Sequence, residues 1–210
     1  MNRDDFALGY NSPGAWSSVN HFHFQGFFLS SVLSGVDAPV CANFPIVNQP
    51  RQELFRVGSS VVAHRMASWP MTCYAVELTQ ESDSANRVAK TGFIETVWQL
   101  IRVLQRRKIP HNMLIVAKPT LVVWIFPRLP QQENGSRLFS QESDRVAPQG
   151  RLRVAIAEAA GLVIAGDEVA FSGLTEDMFV QILREEVSIS PEVADILEHE
   201  WLDAANKVQG

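Results

Sequence analysis

Cysteine is scarce in this chain: Cys41 and Cys73 are the whole complement. Two thiols supply neither a disulfide framework nor the four ligands of a structural zinc site. They read as buried reduced thiols, which suits a reducing compartment. Long apolar runs are missing too, since none approaches the roughly 20 residues of a spanning helix. The opening Met1-Asn2-Arg3-Asp4-Asp5 is too polar and acidic for a signal peptide. A cytoplasmic protein with no membrane partner is the expectation. Positive charge is also short, with 18 Lys and Arg against 23 Asp and Glu, a net charge of −5. That balance gives no chain-wide attraction to nucleic acid, so any phosphate site must be local. No repeat recurs at a solenoid period. Tyrosine numbers only two, yet twelve Phe and five Trp among 210 residues indicate a substantial interior.

Against these absences one stretch stands out: His21-Phe22-His23-Phe24-Gln25. A β-strand sends alternate side chains to opposite faces. In an extended run, His21, His23 and Gln25 line one face, and Phe22 and Phe24 pack into a core behind them. Two imidazoles and a carboxamide in a row can hold a phosphate, and the central His23 can attack it as a neutral nucleophile. The plainer alternative is an edge strand whose imidazoles are merely solvated.

The surrounding pattern predicts an α+β fold, an antiparallel sheet with helices packed on one side. Phe6–Tyr10 and Val19–Ser31 read as a hairpin around the turn chemistry of Asn11-Ser12-Pro13-Gly14. The second strand is apolar enough at Phe27, Phe28 and Leu29 to be central. Residues 35–51 read as loop and Met71–Leu78 as a strand, with one further strand before it left optional. Apolar spacing at Val88, Phe93, Val97, Leu100, Ile101 and Leu104 predicts a helix over Asp83–Arg107, stopped by Pro110. His111–Val116 and Thr120–Phe126 form a second hairpin around Lys118-Pro119. Residues 130–150 read as a flexible loop. Helices follow over Leu152–Ala159, over Thr175–Glu186 from a Thr175 cap, and over Pro191–Ala205. The expected organisation is a catalytic portion over residues 1–130, a linker over 131–150 and a helical segment over 151–210.

Taken in order, Leu8 to Ala15 and Val19 to Gln25 resemble the core of the GDP-hexose phosphorylases (GDP-L-galactose and GDP-D-glucose phosphorylases) of the histidine-triad superfamily. Ile109 to Ile115, Ile125 to Arg128 and Ala157 to Gly161 add to the resemblance, which runs from about Phe6 to Trp201. It implies a histidine-triad-like sheet and phosphorolysis of a GDP-hexose by inorganic phosphate, with no metal or cofactor. His23 is then the nucleophile, with His21 and Gln25 completing the catalytic row. Gln at the third position is similar to transferases and phosphorylases, where hydrolases carry His. A carboxamide can donate to a phosphoryl oxygen but cannot shuttle a proton at neutral pH. Asn11, Gly14, Asn20, Asn112, Arg128 and Glu158 are the implied substrate-binding set. Leu162 stands where the family often has His. Family members also carry substantial sequence before the Asn turn, whereas five residues precede Phe6 here. The resemblance therefore implies the carboxy-terminal portion of such an enzyme, completed by a missing N-terminal half or a homodimer, with a raw sheet edge. A nucleotide hydrolase, another nucleotidyl transferase of the superfamily, or a non-catalytic nucleotide-binding fragment are the alternatives.

Overall fold

A computed structural model of the chain describes residues 5–19, 21–29, 43–79, 86–117, 119–133, 135–142, 152–165 and 168–208. Its centre is one antiparallel sheet of seven strands: β1 (Phe6–Asn11), β2 (Gln25–Phe28), β3 (Gln52–Val57), β4 (Val61–Arg65), β5 (Tyr74–Leu78), β6 (His111–Val116) and β7 (Leu121–Pro127). The spatial order is β2-β1-β6-β7-β5-β4-β3. This is the α+β antiparallel layout expected from the element order.

Strand parity sorts the core into two layers. On β7, Val122, Trp124 and Phe126 face one side, and Val123 and Ile125 the other. The second side is covered by α1 (Asn86–Arg106) and α6 (Pro191–Val208), which pack on β3, β4 and β5. The apolar stripe of α1 runs as its spacing predicts at Phe93, Leu100, Ile101 and Leu104, but Val88 is exposed. The first side is covered by α3 (Ile156–Ala159), α5 (Glu176–Ile182, continued by a π turn over Leu183–Val187) and the irregular stretch before α3. Helices thus occupy both faces of the sheet instead of one. The smaller α2 (Arg137–Glu142) and α4 (Glu168–Gly173) lie in segments without a helical period of their own. The Thr175 cap forms as expected, its Oγ1 accepting from the Met178 N–H at 3.2 Å.

Several expectations need correction. β3 and β4 make a hairpin ahead of β5 where at most one strand was expected. Leu152–Ala155 has no regular secondary structure, and only residues 156–159 are helical. β2 is short and lies at the sheet edge among the described residues, not at its centre. Cys73 is buried and free, and its burial pushes the thiol well up; Cys41 lies outside the described residues. No helix among the described residues is long and apolar enough to cross a membrane.

Gly9 explains how closely α3 approaches β1. A Cβ at this position would stand 2.6 Å from the Ile156 side chain and 2.8 Å from the Phe27 ring. The missing side chain lets the helix settle directly on the strand that leads into the Asn turn.

Candidate active site

β1 ends at Asn11, and the turn that follows is locked from several directions. Ser12 is tied to β6, its backbone N–H donating to the His111 carbonyl at 3.0 Å. The Ser12 hydroxyl in turn accepts from the His111 N–H at 2.8 Å. Gly14 adopts φ +80°, which favours glycine, and a Cβ there would approach Pro110 to 3.1 Å. Gln131 closes the far side: its N–H donates to the Gly14 carbonyl at 2.7 Å, and its side-chain oxygen accepts from Trp16 N–H. Sequence reasoning missed Ser12 as a partner and Gln131 altogether; Gln131 sits in a polar stretch that carries no periodic signal.

Below the turn lies a buried polar network. Asn11 and Asn112 are cross-strand partners on β1 and β6. Asn112 Nδ2 donates to Asn11 Oδ1 at 2.6 Å and to the Ala15 carbonyl at 2.9 Å. Asn11 Oδ1 also accepts from the Ile156 N–H at 2.9 Å, which ties α3 to the turn. Arg128, only 3 % exposed, donates from Nη1 to Asn112 Oδ1 at 3.2 Å and to the Val154 carbonyl. Burial pushes its guanidinium down to about 10, and the charge of Glu158 acts in the opposite direction. Burial raises the Glu158 carboxyl, while backbone N–H groups, including that of Ala155 at 2.9 Å, pull the other way. Asn11, Asn112, Arg128 and Glu158 are therefore gathered in one place, and protein groups already engage their polar atoms.

The His-Gln row departs from the extended strand in an informative way. Residues 21–24 lie outside any strand, and β2 begins only at Gln25, opposite Gly9. Phe22 and Phe24 do not enter a core: they are 72 % and 40 % exposed. Both stack on Tyr10, with ring centroids at 5.2 and 5.6 Å. The helices of that side pack on β3 to β5, and no described layer covers it at β1 and β2. His21 and Gln25 are exposed and His23 is half-buried. The two imidazoles meet edge to face at 5.6 Å.

His23 Nδ1 lies 3.1 Å from the His21 carbonyl oxygen. A carbonyl can only accept, so Nδ1 is the donor in this contact, and in the neutral imidazole the lone pair then belongs to Nε2. That is the tautomer a nucleophile needs. Gln25 shares its sheet face with Phe27, which packs toward the side bearing α3. Asn20 lies outside the described residues. His111 is buried, its Nδ1–H donating to the Ile109 carbonyl at 3.2 Å, and burial lowers its basicity.

The same face holds a cleft of about 580 Å³, within the usual range of small-molecule sites. Trp69 and Phe179 form its apolar walls, and Gln49, Glu176 and Arg184 stand at its rim. None of these five was singled out by sequence, because they come from separate segments with no shared motif.

With this geometry in hand, comparison with known proteins is direct. The family described as GDPGP1-like, C-terminal domain matches residues 45–207. GDP-L-galactose phosphorylase 1 and GDP-L-galactose phosphorylase 2 of Arabidopsis thaliana are each 25 % identical over 187 residues, which is 89 % of this chain. The chain spans 37 % of the length of the first and 38 % of the second. Among solved structures, a DUF4931 family protein from Bacillus cereus aligns with TM-score 0.39 and 12 % identity, covering 68 % of this chain and 62 % of that one.

Proposed function

The chain belongs to the family of GDPGP1-like C-terminal domains, and we propose that it acts in the phosphorolysis of a GDP-hexose in the cytoplasm, with His23 as the nucleophile. The observation that carries this reading is the His23 Nδ1–H bond to the His21 carbonyl, which in the neutral imidazole assigns the lone pair to Nε2. Nε2 attacks the α-phosphorus of the nucleotide sugar. A P–N bond forms as the bond from that phosphorus to the bridging oxygen breaks, and hexose 1-phosphate leaves. An oxygen of inorganic phosphate then attacks the same phosphorus, the P–N bond breaks, GDP departs and His23 returns to its neutral form.

Gln25 donates its amide to an equatorial phosphoryl oxygen, and His21 orients His23 through its carbonyl. Asn11 and Gly14 hold the turn beside the phosphates. Asn112, Arg128 and Glu158 act from below, fixing that turn against β6 and α3. The names of the Arabidopsis relatives favour a GDP-sugar and phosphate as substrates.

The test incubates the chain with GDP-glucose or GDP-galactose and labelled phosphate, and measures GDP. A chase without phosphate traps the guanylylated protein. His23→Ala is expected to lose the trapped adduct and about 10⁴-fold or more in turnover, as nucleophile removal does elsewhere. Full turnover by His23→Ala would overturn the assignment, and GMP release regardless of phosphate would identify a hydrolase.

A further inference from the structure

We propose that Arg153, held against the indole of Trp16, is the cation that receives inorganic phosphate, an inference that rests on the phosphorolysis reading above. The Arg153 guanidinium carbon lies 5.1 Å from the centre of the Trp16 ring, within cation–π range. Arg153 is exposed and makes no hydrogen bond or ion pair with any other described residue. Its hydrogen-bond donors are therefore uncommitted.

Trp16 holds this place under strain. Its φ of +64° lies in the left-handed region, an outlier for a bulky side chain. The Gln131 side-chain oxygen keeps it there by accepting its N–H. An exposed cation–π contact stabilises less than such a backbone costs, so stability does not account for the pair. Position does. Trp16 follows Ala15, whose carbonyl accepts from Asn112 Nδ2 at 2.9 Å. Arg153 precedes Val154, whose carbonyl accepts from Arg128. Arg128 and Asn112 are joined at 3.2 Å, so the pair closes a ring over the buried network that holds Asn11. Trp16, Arg128 and Val154 also line one small cavity of about 20 Å³. Arg128 Nε and Nη1 already donate to protein oxygens, which leaves Arg153 as the outward cation of this ring.

The chemistry calls for such a group. The second step brings an anionic phosphate against a phosphorus that already carries anionic oxygens, and the net charge of −5 opposes it. A guanidinium can engage two phosphate oxygens at once and offset the repulsion. Water, being neutral, gains little from the same cation.

The test loads the intact chain with the guanylyl group from GDP-glucose, removes hexose 1-phosphate and follows discharge by phosphate and by water. In parallel, inorganic phosphate alone is titrated against the chain and followed by phosphorus NMR line width. Arg153→Met is expected to weaken phosphate binding about tenfold or more, and to lower discharge by phosphate relative to water by a similar factor. Arg153→Lys should recover only part of the loss. Trp16→Gly accepts the left-handed turn without strain but removes the indole, so phosphate binding should fall about threefold with Arg153 still present. Unchanged binding and partition in Arg153→Met would overturn the assignment, as would a wild-type chain that binds no phosphate. Equal slowing of both discharges with phosphate binding intact would show a structural role and overturn it too. Arg153-dependent binding without any guanylyl adduct would sustain the anion site and sink the transfer mechanism. An adduct whose discharge ignores Arg153 would do the reverse.

Discussion

Asn112 donates its amide to Asn11 across the β1–β6 pairing at 2.6 Å, while Asn11 holds the first N–H of α3 with the same oxygen. One carboxamide oxygen thus joins a strand, its neighbour and a helix at the base of the candidate site. Asn112→Ala leaves the Ala15 carbonyl without this donor and takes an acceptor from Arg128 in a fully buried spot. Each unsatisfied buried group costs about 1–3 kcal/mol, so a loss of about 2–4 kcal/mol is expected in urea unfolding. A loss under about 0.5 kcal/mol, the level of an ordinary surface change, would mean the network does not hold the turn.

Arg128 extends that junction to the stretch before α3. Arg128→Met keeps much of the side-chain volume but removes the donors to Asn112 and Val154 and the charge facing Glu158. Breaking a buried charged arrangement from one side typically costs about 3–5 kcal/mol. Equilibrium denaturation should show a loss of that order. Arg128→Lys should recover only part, because one ammonium cannot reproduce the guanidinium's fork. Equal stability of Met and wild-type forms would contradict the geometry.

These two residues also show how far sequence reached. Asn11, Asn112, Arg128 and Glu158 were legible as a set through resemblance, and the structure gathers them. The burial of Arg128 and Glu158 was not legible, because neither an Arg past a strand end nor a Glu on a short helix signals its depth. β6, β7, α1 and α6 were legible because long periodic runs leave little choice between strand and helix. The β3–β4 hairpin was not read, although Gly58-Ser59-Ser60 is a turn signal between its strands. Its strands are mixed in polarity, with Arg56 and Glu53 paired on the exposed face. The row around His23 failed as a strand for a tertiary reason. Tyr10 offers one ring to two phenylalanines, and both fold onto it where no described layer covers the sheet. The cleft had no local signature, because its walls meet only after folding.

Gln25 provides a test of the chemistry itself. It stands at the start of β2 opposite Gly9, exposed and on the face of the proposed phosphate path. Gln25→His introduces a group that can accept a proton from water. General-base assistance contributes about 10²–10⁴-fold, so GMP release without phosphate should rise by about 10²-fold. Phosphorolysis should fall at the same time. Product analysis by chromatography with and without phosphate reads the partition, and an unchanged ratio would remove Gln25 from its role.

The far layer of the fold carries a pH dependence of its own. Tyr74 is buried on β5, its ring 4.6 Å from that of Trp201 and its hydroxyl donating to Glu198 Oε1 at 2.8 Å. Burial first, and the Glu198 carboxylate second, push its phenol far above the ordinary value near 10. The folded state therefore keeps this proton where the unfolded chain gives it up. The associated stability is fully present below about pH 10 and declines above it, by up to about 1.4 kcal/mol per pH unit. Burial raises the Cys73 thiol and adds to the alkaline decline, whereas the lowered Arg128 opposes it from about 10 upward. Tyr74→Phe leaves both of those in place, so the difference between the two proteins isolates the phenol. The variant should be weaker by about 1 kcal/mol at neutral pH for the lost hydrogen bond. That gap should close as pH rises beyond 10 in denaturation series run at stepped pH. Two curves that stay parallel across the range would show that the phenol does not titrate differently in the folded state.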